Sequence, residues 1–61
     1  MTPFTADNGG NVIETWHGEP AEFETLEDAI REMRAYYRRL GETAAGVDIF
    51  QGTEWIATII D

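Results

Sequence analysis

The segment LEDAIREMRAYYRRL, residues 26–40, places its apolar side chains at steps of four, three, four and three: Leu26, Ile30, Met33, Tyr37 and Leu40. With Ala29 and Tyr36 beside them, these residues fill a sector of roughly 120° at helical spacing, the width of a helix face laid on a core. Thr25 supplies an N-cap hydroxyl, and Asp28 three residues on makes a Thr-x-x-Asp variant of the capping box. Gly41 ends the helix at the position where a left-handed residue is needed. Arg31, Arg34, Arg38 and Arg39 fall toward the C-terminal half, where they complement the helix dipole.

The remaining segments have strand character. Residues 1–10, MTPFTADNGG, read as a tail or loop: Pro3 and the cluster from Asp7 to Gly10 are turn formers, and Gly9-Gly10 is a turn. Residues 11–17, NVIETWH, are β-branched and aromatic and stop at Gly18, which predicts a first strand whose buried face stays open. Residues 44–50 and 53–60 predict two further strands joined by Gln51-Gly52 as a hairpin. A two-residue loop would pair odd with even positions. A three-residue loop with a bulge would pair odd with odd, so whether Trp55 or Ile56 shares a face with Val47 and Ile49 stays open.

The expected fold class is α+β with element order β-α-β-β: a three-stranded antiparallel sheet with one helix packed on one face. The third predicted strand is apolar on both faces and is therefore placed in the middle, giving the order 2-3-1. At 61 residues the chain is one small domain without repeats or linkers. A domain of that size buries only about 60% of the surface its unfolded chain exposes, and the sequence has no Cys to add a disulfide. The residues that carry most nucleophilic and Schiff-base chemistry, Ser, Cys and Lys, are all missing. Glu14, Asp48 and Glu54 are the carboxylates that could work as acid and base, but one helix on a small sheet offers little concave surface to tune them. His17 is the sole histidine and makes a poor metal ligand set by itself. No enzymatic activity, cofactor or metal is expected. No apolar run is long enough to span a bilayer and the N-terminus has neither a basic nor an apolar leader region, so a cytoplasmic protein is expected, of bacterial or viral type by its brevity.

Charge is the most directional feature. Twelve acids against four Arg give a net −8. Residues 1–30 carry Asp7, Glu14, Glu19, Glu22, Glu24, Glu27 and Asp28 and no basic residue, while all four Arg lie beyond. Such a field repels nucleic acid and anionic membrane and attracts basic surfaces; acidity at this level also occurs in proteins that need it only for solubility, and charge alone leaves both readings open. Glu27 and Asp28 belong to the first helical turn and need no further purpose. On a helical wheel, however, Glu24, Asp28 and Glu32 form a column of like charges at i,i+4, a mild cost to the helix. Glu19 and Glu22 precede the helix and gain nothing from capping, and Glu14 sits on the adjoining strand. Arg31, Arg34 and Arg38 share a flank with Glu27, which reads as a solvated flank rather than a nucleic-acid site. Tyr36, at the edge of the apolar stripe, is freer than Tyr37 to serve as a contact. The candidate partner-binding set is therefore Glu14, Glu19, Glu22, Glu24, Asp28, Glu32 and Tyr36.

The acidic helix region EPAEFETLEDAIREMRAYYRRLGE followed by the hairpin GVDIFQGTEWIATII, in a short chain without Cys, resembles the small phage-encoded anti-CRISPR proteins. The likeness is to the acidic DNA-mimic inhibitors of type I surveillance complexes, those of type I-C included. It is one of size, charge and element profile and carries no signature motif. What it implies is a non-enzymatic inhibitor, a monomer or weak homodimer, that binds a Cascade subunit in its DNA-binding channel and blocks target DNA. Its carboxylates would then face the Lys and Arg of that channel. The Arg flank departs from this pattern, since a complete DNA mimic would not need it. The alternative from another class is an acidic antitoxin or other stoichiometric partner of a basic nuclease, pairing through an exposed strand edge.

Overall fold

The computed structural model describes residues 2–60. Five elements follow one another: β1 (Phe4–Asn8), β2 (Asn11–Val12), α1 (Leu26–Arg39), β3 (Asp48–Gln51) and β4 (Glu54–Thr58). The four strands form one antiparallel sheet in the order β2-β1-β3-β4. The expected three-stranded sheet of order 2-3-1 is thus wrong in strand number, in order and in what occupies the middle. Met1, at the head of the predicted tail, lies outside the described residues.

The tail is where the expectation fails most. Most of it is β1, which lies in the interior of the sheet between β2 and β3. Asn8 pairs with Asn11, so Gly9-Gly10 is a two-residue hairpin loop. Both glycines have positive φ, +64° and +89°, as a type I′ turn demands and as only Gly adopts without strain. The other face of the error is the predicted strand 11–17. Its regular pairing ends at Val12, and the chain then leaves the sheet in a small excursion. Ala21 N–H donates to the Ile13 carbonyl and Thr15 N–H to that of Glu19, with Trp16, His17 and Gly18 at the tip. The chain returns to β1 at Phe23, whose N–H and carbonyl both bond to Phe4.

β4, expected in the centre, is an edge strand. Gln51 pairs with Glu54 and Phe50 with Trp55, so the turn is a two-residue Gly52-Thr53 loop, one residue on from the expected Gln51-Gly52, and starts in the odd-to-even register; the strand before it begins at Asp48 rather than at residue 44. A bulge between Ile49 and Phe50 then shifts the register by one, and Ile49 faces Ala57. The open question has a third answer: Trp55 lies opposite Phe50, away from Ile49, and Ile56 is the extra residue of the bulge.

The helix forms as its sequence dictates. Asp28 N–H donates to Thr25 Oγ1 at 3.0 Å. At the other end Gly41 has φ +74°, and Gly41 N–H and Glu42 N–H donate to the carbonyls of Arg38 and Tyr37. That is the paired bonding of a Schellman motif, which satisfies two carbonyls the helix itself leaves unpaired. The helix lays Ala29, Met33 and Tyr37 on the sheet. They join Ala6, Ala44, Val47, Ile49 and Ile59 in the core, and small residues at 6 and 29 let the helix and sheet approach closely. Asn8 Nδ2 donates to Tyr37 Oη at 2.7 Å and ties the end of β1 to the helix.

Candidate functional site

Alternation along the strands divides the sheet into two faces. Ala6, Asn8 and Ile49 point toward the helix. Thr5, Asp7, Asp48, Phe50, Trp55 and Thr58 are the intervening or paired positions, so they lie on the face the helix does not cover. The acids therefore occur in three settings: the excursion between β2 and α1, the helix, and this uncovered face.

The excursion gathers Glu14, Glu19 and Glu22, all exposed, with Glu24 following just before the cap. Glu14 pairs with Pro20 across it. No Arg lies in this stretch, so three of the sequence candidates share one arginine-free excursion, with Glu24 on the segment that follows it. Its tip holds Trp16, 90% exposed and tilted against the His17 ring at a centroid distance of 3.7 Å. Trp16 is not among the candidates read from the sequence, where it belongs to an expected strand whose buried face stays open.

The helical candidates fare differently. Glu24 lies before the N-cap, so wheel geometry does not apply to it and the three-acid column reduces to Asp28 and Glu32. The Asp28 carboxylate is ion-paired with the Arg31 guanidinium, one turn along. That pairing cancels the repulsion expected within the column and takes Asp28 out of the surplus. Glu32 stays exposed. Tyr36 is 38% exposed and meets the Tyr37 ring edge-on at 5.1 Å, so it has a structural role in the helix surface as well as accessible area.

The uncovered face was not legible as a candidate. On it Asp7 and Asp48 are directly paired across β1 and β3. Thr58 Oγ1 donates to Asp48 Oδ1, and the Trp55 indole N–H points at the same oxygen at 3.3 Å and at Thr58 Oγ1 at 3.1 Å. Asp7 Oδ1 is buried and has no hydrogen-bond donor. Glu14, Asp48 and Glu54 do not assemble as an acid–base set. Glu14 lies beyond β2 and Glu54 on β4, at opposite edges of the sheet, and three strand spacings amount to about 14 Å.

Among the described residues no group of three or more His, Cys, Asp or Glu is placed to hold a metal ion, and no helix is long and apolar enough to cross a membrane. A surface groove of about 510 Å³ runs along the helix between Glu27, Ile30, Arg31, Arg34, Ala35 and Arg38. The charges are thus sorted: the arginines lie on the helix, while the excursion and the uncovered face carry acids alone. Comparison with protein-family models, with curated proteins and with solved structures finds no match.

Proposed function

We infer that this protein is a non-enzymatic acidic ligand for a basic, nucleic-acid-binding surface of another protein. The reading that fits its size and charge best is an anti-CRISPR inhibitor that keeps target DNA out of the channel of a type I surveillance complex, working in the cytoplasm of the host cell. The observation that carries this is the placement of Glu14, Glu19 and Glu22 on one arginine-free excursion, with exposed Trp16 at its tip and Glu24 on the segment that follows it. Carboxylates held on a hydrogen-bonded excursion present their charge without the full ordering cost of a loose acidic tail. A large aromatic ringed by charge is also the composition of an interface anchor. The arginines, on the helix, would face away from such a channel.

The test is target-DNA binding by a purified type I surveillance complex in the presence of the protein. Binding should fall as protein is added, and joint replacement of Glu14, Glu19, Glu22 and Glu24 by Gln should restore it, more completely at low salt than at high. DNA binding that persists at a large excess of protein rules this reading out.

A second reading, an antitoxin-like partner of a basic nuclease, is favoured by one observation. β4 is an edge strand with no strand on its outer side among the described residues, which leaves room for a strand from another chain. A toxin-like reading frame beside the gene would support it, and inhibition of that nuclease by the protein would separate it from the first.

A further inference from the structure

The uncovered face of the sheet is a small lattice with two kinds of row. One row runs Val12, Asp7, Asp48, Thr58 and the next runs Thr5, Phe50, Trp55, each residue paired with its neighbour across the strands. Residues two apart on a strand are separated by about 7 Å, so an acidic row lies beside an aromatic one at roughly the span of a guanidinium and its reach.

Two features of these rows have no explanation in folding. Like charges directly opposite each other in a sheet are unfavourable, yet Asp7 faces Asp48. Trp55 is 56% exposed, yet its indole is fixed by hydrogen bonds to Asp48 and Thr58 rather than left to move. A cation with several donors answers both: it offsets the repulsion and covers the ring.

We propose that this face is a docking surface for an arginine side chain of the partner protein, its guanidinium lying on the Phe50–Trp55 row and donating to the carboxylates of Asp48 and Asp7. Arginine fits better than lysine because its planar fork both stacks on a ring and bonds a carboxylate at two points. A protein side chain is favoured over a free small cation because Val12, at 39% exposed, and Trp55 extend apolar surface on both sides of the acids, area that only a larger partner covers. The charge is complementary, since no arginine of this chain belongs to the strands. This inference rests on the basic-partner reading and adds a second contact surface, distinct from the Glu-rich excursion.

The experiment is a titration of the ¹⁵N-labelled full chain with a blocked octa-arginine peptide at low salt, followed by the two indole N–H signals and the backbone amides. Saturable shifts at the Trp55 indole and at Asp7, Asp48 and Phe50 are expected, with octa-arginine binding more tightly than octa-lysine. Asp48→Asn, read at the Phe50 amide, should weaken binding about tenfold, the loss of one charge-assisted hydrogen bond, and Asp7→Asn should act in the same direction. If residues 13–24 shift while Trp55 stays still, the basic-partner reading stands and this inference falls. If no signal moves, both fall. Equal affinity for octa-lysine overturns the arginine assignment. Shifts at Trp55 that follow protein concentration without peptide would make the arginine flank of a second copy the occupant instead.

Discussion

The two faces of the central strands are built from alternate residues of the same short segments, and they obey opposite rules. On the helix side Ala6 and Ile49 face each other, both with no exposure. One position along, Asp7 faces Asp48 with a buried oxygen unsatisfied, and beyond them a half-exposed Trp is held in place. The first face minimises free energy by removing apolar surface from water. The second holds two opposed carboxylates and an exposed Trp, with Asp48 accepting hydrogen bonds from Thr58 and Trp55. Among the described residues the core rests on a few buried side chains, with Val47 and Ile49 the largest of those fully buried, and a domain of this size has little stability to spare. A retained local cost in such a domain points to use rather than to structure.

Substitutions can break or sharpen this contrast. The largest effect is expected from Ile49→Ala, which should cost about 2–5 kcal/mol and leave much of the protein unfolded. Trp55→Ala, on the exposed side of the neighbouring strand, should cost about 1 kcal/mol or less by comparison. Urea denaturation of the two variants decides it, and equal losses would mean that the uncovered face is part of the core. Next in size is Gly10→Val, which forces a β-branched residue to φ +89°; it should destabilise by about 1–2 kcal/mol and lower the thermal midpoint if the β1–β2 hairpin forms as described. Thr25→Ala removes the helix cap and should cost about 1 kcal/mol in the same assay. The smallest effect carries the opposite sign. Asp7→Asn removes one of two opposed charges and provides a donor, and should stabilise by up to about 1 kcal/mol. A loss of stability there would show that the acid pair supports the fold.

The helix and the final hairpin were readable because their signals are local. Periodicity, a Thr cap and a Gly at the left-handed position fix α1 without reference to anything else, and a Gly between two β-branched runs fixes the β3–β4 turn. β1 was not readable, for reasons that lie in its tertiary role. Pro3, Asp7 and Asn8 are poor strand formers, and Ala6 is small because it sits under the helix. What makes FTADN a strand is pairing on both sides, which no window of sequence reveals. NVIETWH misled in the opposite sense: its propensity is that of a strand, but Gly18 at φ +83° turns the chain back after Trp16 and His17. β4 looked central because it is apolar on both faces. The bulge instead uses Ile56 as an extra residue, while Ile59 reaches the core from beyond the strand and Ile60 stays 88% exposed. The acidic surplus before the helix was visible as composition, and its gathering on one projection needed the fold. The Asp7–Asp48 pair depended on β1 and was hidden with it.

The central claim is that these carboxylates occupy a surface made for nucleic acid. It is tested most directly by measuring the affinity of a purified type I surveillance complex for its target DNA as this protein is added. The account predicts that DNA binding is lost as the protein approaches stoichiometry with the complex, and that the loss is relieved by the Glu14, Glu19, Glu22 and Glu24 substitutions or by salt. An unchanged DNA affinity at large excess would contradict it.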